Sequence, residues 1–455
     1  MFLHTFYLTG LAVNTYIIGD EVTGRAIVVD PTRDIDPYIN YALEEGYVIT
    51  DIVETHVHAD FISGSKELKH RLQGSPTIHC SAMDTQWTAN YADKKVKDGD
   101  EIQLGSIRLK AMHTPGHTPE HLIWVCFDDT RSRDVPCLAF TGDLLFVGSV
   151  GRPDLLGKGE IQALATQLYH SLFTTIASLP DLLEIYPAHG QGSLCGKGLN
   201  ARPSSTLGYE RLFNPSLQKL PMEQWVEKLL EEMPSAPANF ARMKKINVQG
   251  PELLKAQRSP TQEKLLYIDV RKPEIFAQGH IQGSINIPAF SNFCLWAGSV
   301  IPGDVSLGVV AGDAEQLAEV IKNLAFVGFD RVEQQLTWDD ERMKKEFAVD
   351  TLPLCSVGSL AEKLGKDPQS LYLIDVRMPG EWNAGHVAGA HHLELATLAD
   401  TFSTIPKDSK VYAICGSGTR SSIAGSLLKT KGYHSVENVQ GGMMAWNKAR
   451  LPTTK

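Results

Sequence analysis

Thr55-His56-Val57-His58-Ala59-Asp60-Phe61 comes directly after the apolar stretch Ile52-Val53, and its reading decides the fold. Three further polar clusters repeat the arrangement. Pro115-Gly116-His117-Thr118 lies in a Gly/Pro turn after Ile107-Arg108-Leu109. Thr141-Gly142-Asp143 follows Cys137-Leu138-Ala139-Phe140, and Tyr186-Pro187-Ala188-His189 follows Leu182-Leu183-Glu184-Ile185. Short apolar runs closed by turn residues read as strands. Imidazoles and carboxylates placed after four separate strands predict one metal site on one edge of a β-sandwich. The competing reading, scattered structural histidines, suits a lone residue better than the whole series.

This series resembles the metallo-β-lactamase superfamily over roughly the first half of the chain, which implies an αββα sandwich. Hydrolases of that superfamily such as glyoxalase II carry His-x-His-x-Asp-His, and the last His helps to hold a second zinc. Here that place is Phe61, and an apolar ring cannot donate to a metal. Two imidazoles and one carboxylate with open positions form the facial triad of non-haem Fe(II) oxygenases. The segment is also similar to the persulfide dioxygenases. That likeness implies one Fe(II) per chain held by His56, His117 and Asp143, with His58, Asp60 and His189 orienting the ligands. The same donors also suit zinc.

The rest of the chain points to sulfur. Leu265-Leu-Tyr-Ile-Asp269-Val-Arg271-Lys-Pro273 recurs as Leu371-Tyr-Leu-Ile-Asp375-Val-Arg377-Met-Pro379. Gly279-His280-Ile-Gln-Gly283 recurs at unchanged spacing as Gly385-His386-Val-Ala-Gly389. A repeat of roughly a hundred residues suits a duplicated domain rather than a solenoid. Both signatures resemble the rhodanese family, which implies α/β domains with parallel sheets. The expected fold class is therefore α/β multidomain, a metallo-β-lactamase αββα sandwich followed by two rhodanese-like α/β domains.

The two copies differ in their chemistry. Copy two reads Val411-Tyr-Ala-Ile-Cys415-Gly-Ser-Gly-Thr-Arg420-Ser421, a strand, a Gly-rich loop and then a helical run. Inward-pointing N–H groups and the helix N-terminus favour a thiolate at Cys415, which predicts a nucleophile. Arg420 is expected to hold an anion such as sulfite or thiosulfate. In copy one Ala311 stands in place of the Cys and Gln316 in place of the Arg, so copy one reads as an inactive spacer or docking domain.

At 455 residues about three domains are expected. The breaks are read at 1–240, 241–350 and 351–455. A helix over Met222–Met233 ends at Pro234-Ser-Ala-Pro, and Leu352-Pro353-Leu-Cys355-Ser356 is read as a linker into an N-capped helix from Ser356. Net charge of −10 argues against nucleic acid. No apolar run approaches a membrane span, and the first residues lack the charged start of a signal peptide. Seven scattered cysteines suggest a reducing cytoplasm. The segment Gly190 to Lys197, with Thr206 to Arg211, resembles bacterial fusions of a persulfide dioxygenase with a pseudo-rhodanese and a rhodanese, a group in which homo-oligomers are common. Cys195 in that segment reads either as a second sulfur acceptor near the metal or as an inert loop cysteine.

The expected reaction is oxidation of a small-molecule persulfide by O₂ at Fe(II), giving sulfite. Cys415 then carries sulfane sulfur to sulfite, giving thiosulfate. The alternatives are a zinc-dependent thioester hydrolase of glyoxalase II type with an accessory rhodanese, and a non-catalytic persulfide carrier or sensor.

Overall fold

The computed structural model describes residues 1–157, 159–231, 233, 237, 239–254 and 264–455. The chain divides into two compact units, residues 1–257 with 325–328, and residues 258–324 with 329–455.

The first unit is built on two six-stranded sheets. One runs in sequence order through β1 (Phe2–Leu8), β2 (Val13–Asp20), β3 (Arg25–Val29), β4 (Val48–Val53), β5 (Thr77–Ser81) and β6 (Lys94–Val96). The other holds β7 (Glu101–Leu104), β8 (Ile107–His113), β9 (Leu122–Asp128) and β10 (Leu138–Gly142). The hairpin of β11 (Leu145–Phe146) and β12 (Ser149–Val150) precedes β13 (Glu184–Pro187) and β14 (Ser205–Thr206), which complete that second sheet in the order β14-β13-β10-β9-β8-β7.

Alternation along the strands sorts side chains into layers. Tyr16 and Ile18, Ile27 and Val29, Leu109 and Ala111, Trp124 and Cys126, and Leu138 and Phe140 meet in one buried cluster between the sheets. Their neighbours Ile17, Ala26, Val28 and Ile52 face outward beneath Tyr38, Ala42 and Leu68 of two helices. On the other side Ile123, Val125 and Ala139 lie beneath Ala165, Leu168 and Trp225. Helix, sheet, sheet and helix stack as the sequence predicts.

The expected boundary at 240/241 lies later. Phe240–Gln249 is a helix of the first unit. Asn247 fastens it, because its amide donates to the carbonyls of His58 and Phe61, both at 2.8 Å. The helix expected over Met222–Met233 runs from Met222 to Glu231. Of the break expected after it, Pro234, Ser235, Ala236 and Ala238 lie outside the described residues.

In the second unit the repeats each build a parallel sheet. Copy one uses β15 (Leu266–Asp269), β17 (Ile285–Asn286), β18 (Leu307–Ala311) and β19 (Val332–Thr337), in the order β17-β15-β18-β19. A small antiparallel pair, β16 (His280–Ile281) with β20 (Val349–Asp350), flanks it. Copy two holds β21 (Leu354–Cys355), β22 (Tyr372–Asp375), β23 (His391–His392), β24 (Val411–Ile414) and β25 (Val436–Val439), in the order β21-β25-β24-β22-β23.

The stretch expected as a linker is therefore a strand. Leu354 and Cys355 pair with Asn438 and Val439. Leu352 is fully buried, so the apolar side chains that looked incidental are held by packing. Ser356 caps the next helix by accepting the Ser359 N–H at 3.2 Å.

The repeated Asp-Val-Arg motif turns out to be a clamp. Arg271 Nη2 meets Asp269 Oδ2 at 2.6 Å and donates to the Gly279 carbonyl at 2.8 Å. Arg377 repeats this with Asp375 at 2.7 Å and Gly385 at 2.8 Å. The paired charges are buried, and such a pair holds geometry more than it adds stability.

Candidate active site

The four predicted strand ends converge. His56 follows β4, His117 lies in the turn between β8 and β9, and Asp143 follows β10. Gly142 sits at φ +50°, and a Cβ there would lie 2.6 Å from His121 Nε2 and 2.8 Å from Thr55 Oγ1. The chain can enter the site at Asp143 only through a residue without a side chain.

Hydrogen bonds fix the tautomers of both imidazoles. Thr55 Oγ1 donates to Asp30 Oδ2 at 2.8 Å, so it accepts from His56 Nδ1 at 2.9 Å. His117 Nδ1 donates to the Arg152 carbonyl at 2.8 Å. Each ring therefore turns an Nε2 lone pair inward, and both Nε2 atoms and both Asp143 oxygens are buried without a hydrogen-bond partner. The donor atoms of His56, His117 and Asp143 lie within 4.8 Å of one another. His117 Nε2 is 3.2 Å and His56 Nε2 3.9 Å from Asp143 Oδ2. Ligands at right angles, about 2.1 Å from one ion, stand about 3 Å apart. The three residues fit a metal ion.

Electrostatics agree with that fit. Burial, and then the neighbouring imidazoles, hold His56 well below the ordinary histidine range. His117 is lowered in the same direction, first by burial. Burial pushes Asp143 up to about 6. Neutral imidazoles are the form in which histidine ligates.

The three expected orienting residues fall into two groups. His58 turns away from the triad, with its Nε2 3.2 Å from both Asp30 Oδ1 and Glu54 Oε2. Burial opposes its charge, but Asp30 and Glu54 outweigh it and hold His58 well above the ordinary range. Its ring also lies against that of His56, with the centroids 4.3 Å apart, and the two share Asp30, directly for His58 and through Thr55 for His56. His189 Nε2 lies 3.4 Å from Asp143 Oδ1 and 3.5 Å from Asp60 Oδ2. Cys195 joins this second group, its sulfur within 4.8 Å of the Asp60 and His189 donors. Burial, then Asp60 and Asp143, push the Cys195 thiol well above the ordinary range. Phe61 is buried, its ring centroid 4.3 Å from that of His58.

Asp30, Thr55 and His121 were not singled out from the sequence. Asp30 follows the aliphatic run Ala26–Val29 of β3, the same signal that marked Asp143. His121 Nε2 accepts the Asp143 backbone N–H at 3.0 Å.

In the second unit Cys415 directly follows β24 and is fully buried. Its sulfur accepts the Gly418 N–H at 3.1 Å, at the start of the helix Thr419–Thr430, and Ser421 Oγ lies 3.3 Å from it while donating its proton to Asn438 Oδ1 at 2.6 Å. Arg420 differs from expectation. Its two terminal nitrogens form a fork on Glu381 at 2.6 and 2.7 Å, because the helix Pro379–Ala384 presents that carboxylate to the loop. Arg420 is a paired cation beside the loop, not a free one. In copy one Gln316 Oε1 accepts the Gly312 N–H at 2.9 Å and closes the equivalent loop on itself. Burial pushes Cys294 up to about 12.

Two facing sheets with buried donors at their strand ends define a metalloenzyme of the metallo-β-lactamase class. Comparison with known proteins agrees. The family model described as "Metallo-beta-lactamase superfamily" matches residues 8–189, and "Rhodanese-like domain" matches residues 356–449. The mitochondrial persulfide dioxygenase ETHE1 of Homo sapiens is 33% identical over 214 residues, covering 47% of this chain and 74% of that protein. A crystal structure described as a metallo-beta-lactamase from Staphylococcus aureus superposes with TM-score 0.67 at 37% identity, covering 74% of this chain and 99% of that one. A hydroxyacylglutathione hydrolase of Rhodopseudomonas palustris is 30% identical over 174 residues, 38% of this chain and 61% of that protein. The chain belongs to the persulfide dioxygenase family of the metallo-β-lactamase superfamily, with a rhodanese-like domain fused behind it. Among the described residues no helix is long and apolar enough to cross a membrane.

Proposed function

We propose that the chain is an Fe(II)-dependent persulfide dioxygenase whose product sulfite is converted to thiosulfate at Cys415. The observation that carries the first step is the set of buried, unpartnered donors of His56, His117 and Asp143, with Phe61 where hydrolases keep a further ligand. A bound Fe(II) supplies the redox chemistry that joins O₂ to the terminal sulfur of a persulfide. Thr55 and the Arg152 carbonyl hold the two imidazoles in the ligating tautomer. Asp60 and His189 flank Asp143 and keep its second oxygen oriented. Cys195, whose thiol is held protonated first by burial and then by Asp60 and Asp143, is assigned the part of second sulfur acceptor beside these donors. A zinc thioesterase would use the same donors, but Phe61 favours the single-metal reading.

In the transfer step the Cys415 thiolate attacks the outer sulfur of a persulfide R–S–SH. The S–S bond breaks, R–S⁻ leaves, and Cys415–S–SH forms. Sulfite then attacks the outer sulfur, giving thiosulfate and restoring the thiolate. The Gly418 N–H stabilises that thiolate at both ends of the step. The division into 1–240, 241–350 and 351–455 is revised only at its first boundary, so that the proposed dioxygenase domain runs to about residue 257, with an inactive rhodanese-like copy to 350 and an active one from 351.

The test is Cys415→Ser in the iron-loaded full chain. Oxygen uptake with a low-molecular-weight persulfide should persist, while the product changes from mainly thiosulfate to mainly sulfite. Two zinc ions per chain, with no oxygen uptake after iron loading, would refute the dioxygenase reading.

A further inference from the structure

A buried cation near the metal donors has no role in the steps above. Lys244 is 1% exposed, and its ammonium has no hydrogen-bond partner. Among the described residues no carboxylate oxygen lies within ion-pair distance of it. Its position is well defined. Asn247, one turn further along the same helix face, bonds the carbonyls of His58 and Phe61 and accepts the Ser63 N–H at 2.9 Å. This seats the Lys244 side of the helix against the loop that carries His56. The ammonium stands 4.5 Å from the centroid of the Trp87 ring. Trp87 lines a small cavity together with His56, Val57 and Glu120. Glu120 accepts the Val57 N–H with one oxygen at 2.9 Å, and its other oxygen is buried without a partner.

A buried ammonium without an ion-pair partner is costly to fold. Trp87 returns only part of that cost. Burial accordingly lowers the Lys244 pKa, with the Glu120 and Asp84 charges acting the other way. Folding chemistry alone would place Met or Leu here. A buried cation without an ion-pair partner, held over a ring that shares a cavity with His56, suits an anion that comes and goes.

We infer that Lys244, backed by the Trp87 ring, holds a small sulfur anion at the dioxygenase site, either the entering persulfide anion or the leaving sulfite. The inference rests on the dioxygenase reading for the identity of the anion, but not for its charge. Lys244 is thus a substrate- or product-positioning group, and it ligates no metal.

Lys244→Met and Lys244→Arg in the iron-loaded full chain test this. The Met variant keeps the length of the side chain and removes the buried charge, so it should melt at the same or a higher temperature than the parent. It should also raise KM for cysteine persulfide, or the inhibition constant for sodium sulfite, about tenfold, with a smaller change in kcat. Arg should restore much of the loss. A change in KM alone assigns the persulfide, a change in sulfite inhibition alone assigns the product, and a change in both assigns a shared subsite. Both constants within twofold of the parent, or a lower melting temperature for Met, would overturn the proposal. Calorimetric titration of sodium sulfite into the same proteins separates the two readings. Absence of oxygen uptake by the parent refutes the dioxygenase, whereas equal sulfite binding by parent and Met variant together with an unchanged KM for cysteine persulfide refutes Lys244.

Discussion

Asn286→Ala should loosen the sulfur-transfer site from within copy one, although copy one has no nucleophile. The Asn286 side chain is fully buried. Its Nδ2 donates to the Asp269 carbonyl at 3.0 Å and the Arg271 carbonyl at 2.9 Å, and its Oδ1 accepts the Ser422 hydroxyl at 2.6 Å. Ser422 belongs to the helix that begins beside Cys415, and Ser426 of the same helix accepts the Asn286 backbone N–H at 2.9 Å. On truncation the Asp269 carbonyl keeps the Ile287 N–H at 3.0 Å. The Arg271 carbonyl and the Ser422 hydroxyl lose this partner, at about 1–3 kcal/mol each. The expected loss is about 2–6 kcal/mol, a large part of the 5–15 kcal/mol typical of a folded domain. For a unit of this size that corresponds to about 2–4 °C in Tm per kcal/mol. Urea unfolding followed by circular dichroism measures the stability, and thiosulfate:cyanide sulfurtransfer measures the site. Ser422→Ala should cost less than Asn286→Ala, and the double variant should fall short of the sum, because the two residues share one hydrogen bond. A loss below about 1 kcal/mol, or strict additivity, would refute the claim that copy one braces this helix.

Two further outcomes follow from the sites themselves. His117→Ala should weaken iron binding by more than the ~10–100-fold that removal of an orienting partner costs, and Thr55→Ala should fall in that lower range; competition with a chelator of known affinity measures both, and unchanged affinity in the His117 variant would remove it from the ligand set. Cys137 is drawn down to about 7, first by its hydrogen bond with Cys126, so its thiolate fraction rises as pH climbs through 7 and falls below it. Brief alkylation of the native chain at pH 8, read by peptide mass mapping, should therefore label Cys137 ahead of the buried Cys195 and Cys294, and the reverse order would show the assignment to be wrong.

How much of this could be read from the sequence depended on distance along the chain. His56, His117, Asp143 and His189 each end a strand or the turn after one, so hydrophobic pattern and residue type mark them together. The Asp269–Arg271 and Asp375–Arg377 pairs lie two residues apart and announced themselves by repetition, although only the structure shows that they clamp the following Gly-His turn. Partners brought together by folding left no such trace. Thr55 and Asp30 are 25 residues apart, and Arg420 and Glu381 39 residues apart. The boundary at 240 was misplaced for the same reason. A Pro-rich break reads as a domain end, but Asn247 ties the next helix back to the His58 and Phe61 carbonyls, which no local pattern reveals.

The fork between Arg420 and Glu381 bears on how an acceptor anion reaches Cys415. Were the thiolate to attack a bound dianion directly, a free guanidinium over the sulfur would be the natural partner. The structure instead ties both terminal nitrogens of Arg420 to Glu381 and leaves the thiolate to the Gly418 N–H at the helix start. A persulfide on Cys415 moves the reacting atom about 2 Å outward, the length of one S–S bond. In the proposed step, sulfite attacking that outer sulfur has to approach a loop whose Arg420 is already paired with Glu381, so that cation is not free to hold it. Weak holding suits a transfer in which the anion arrives, takes one sulfur and leaves. It also leaves the stabilisation of the departing Cys415 thiolate to the loop, whose Gly418 N–H the sulfur accepts.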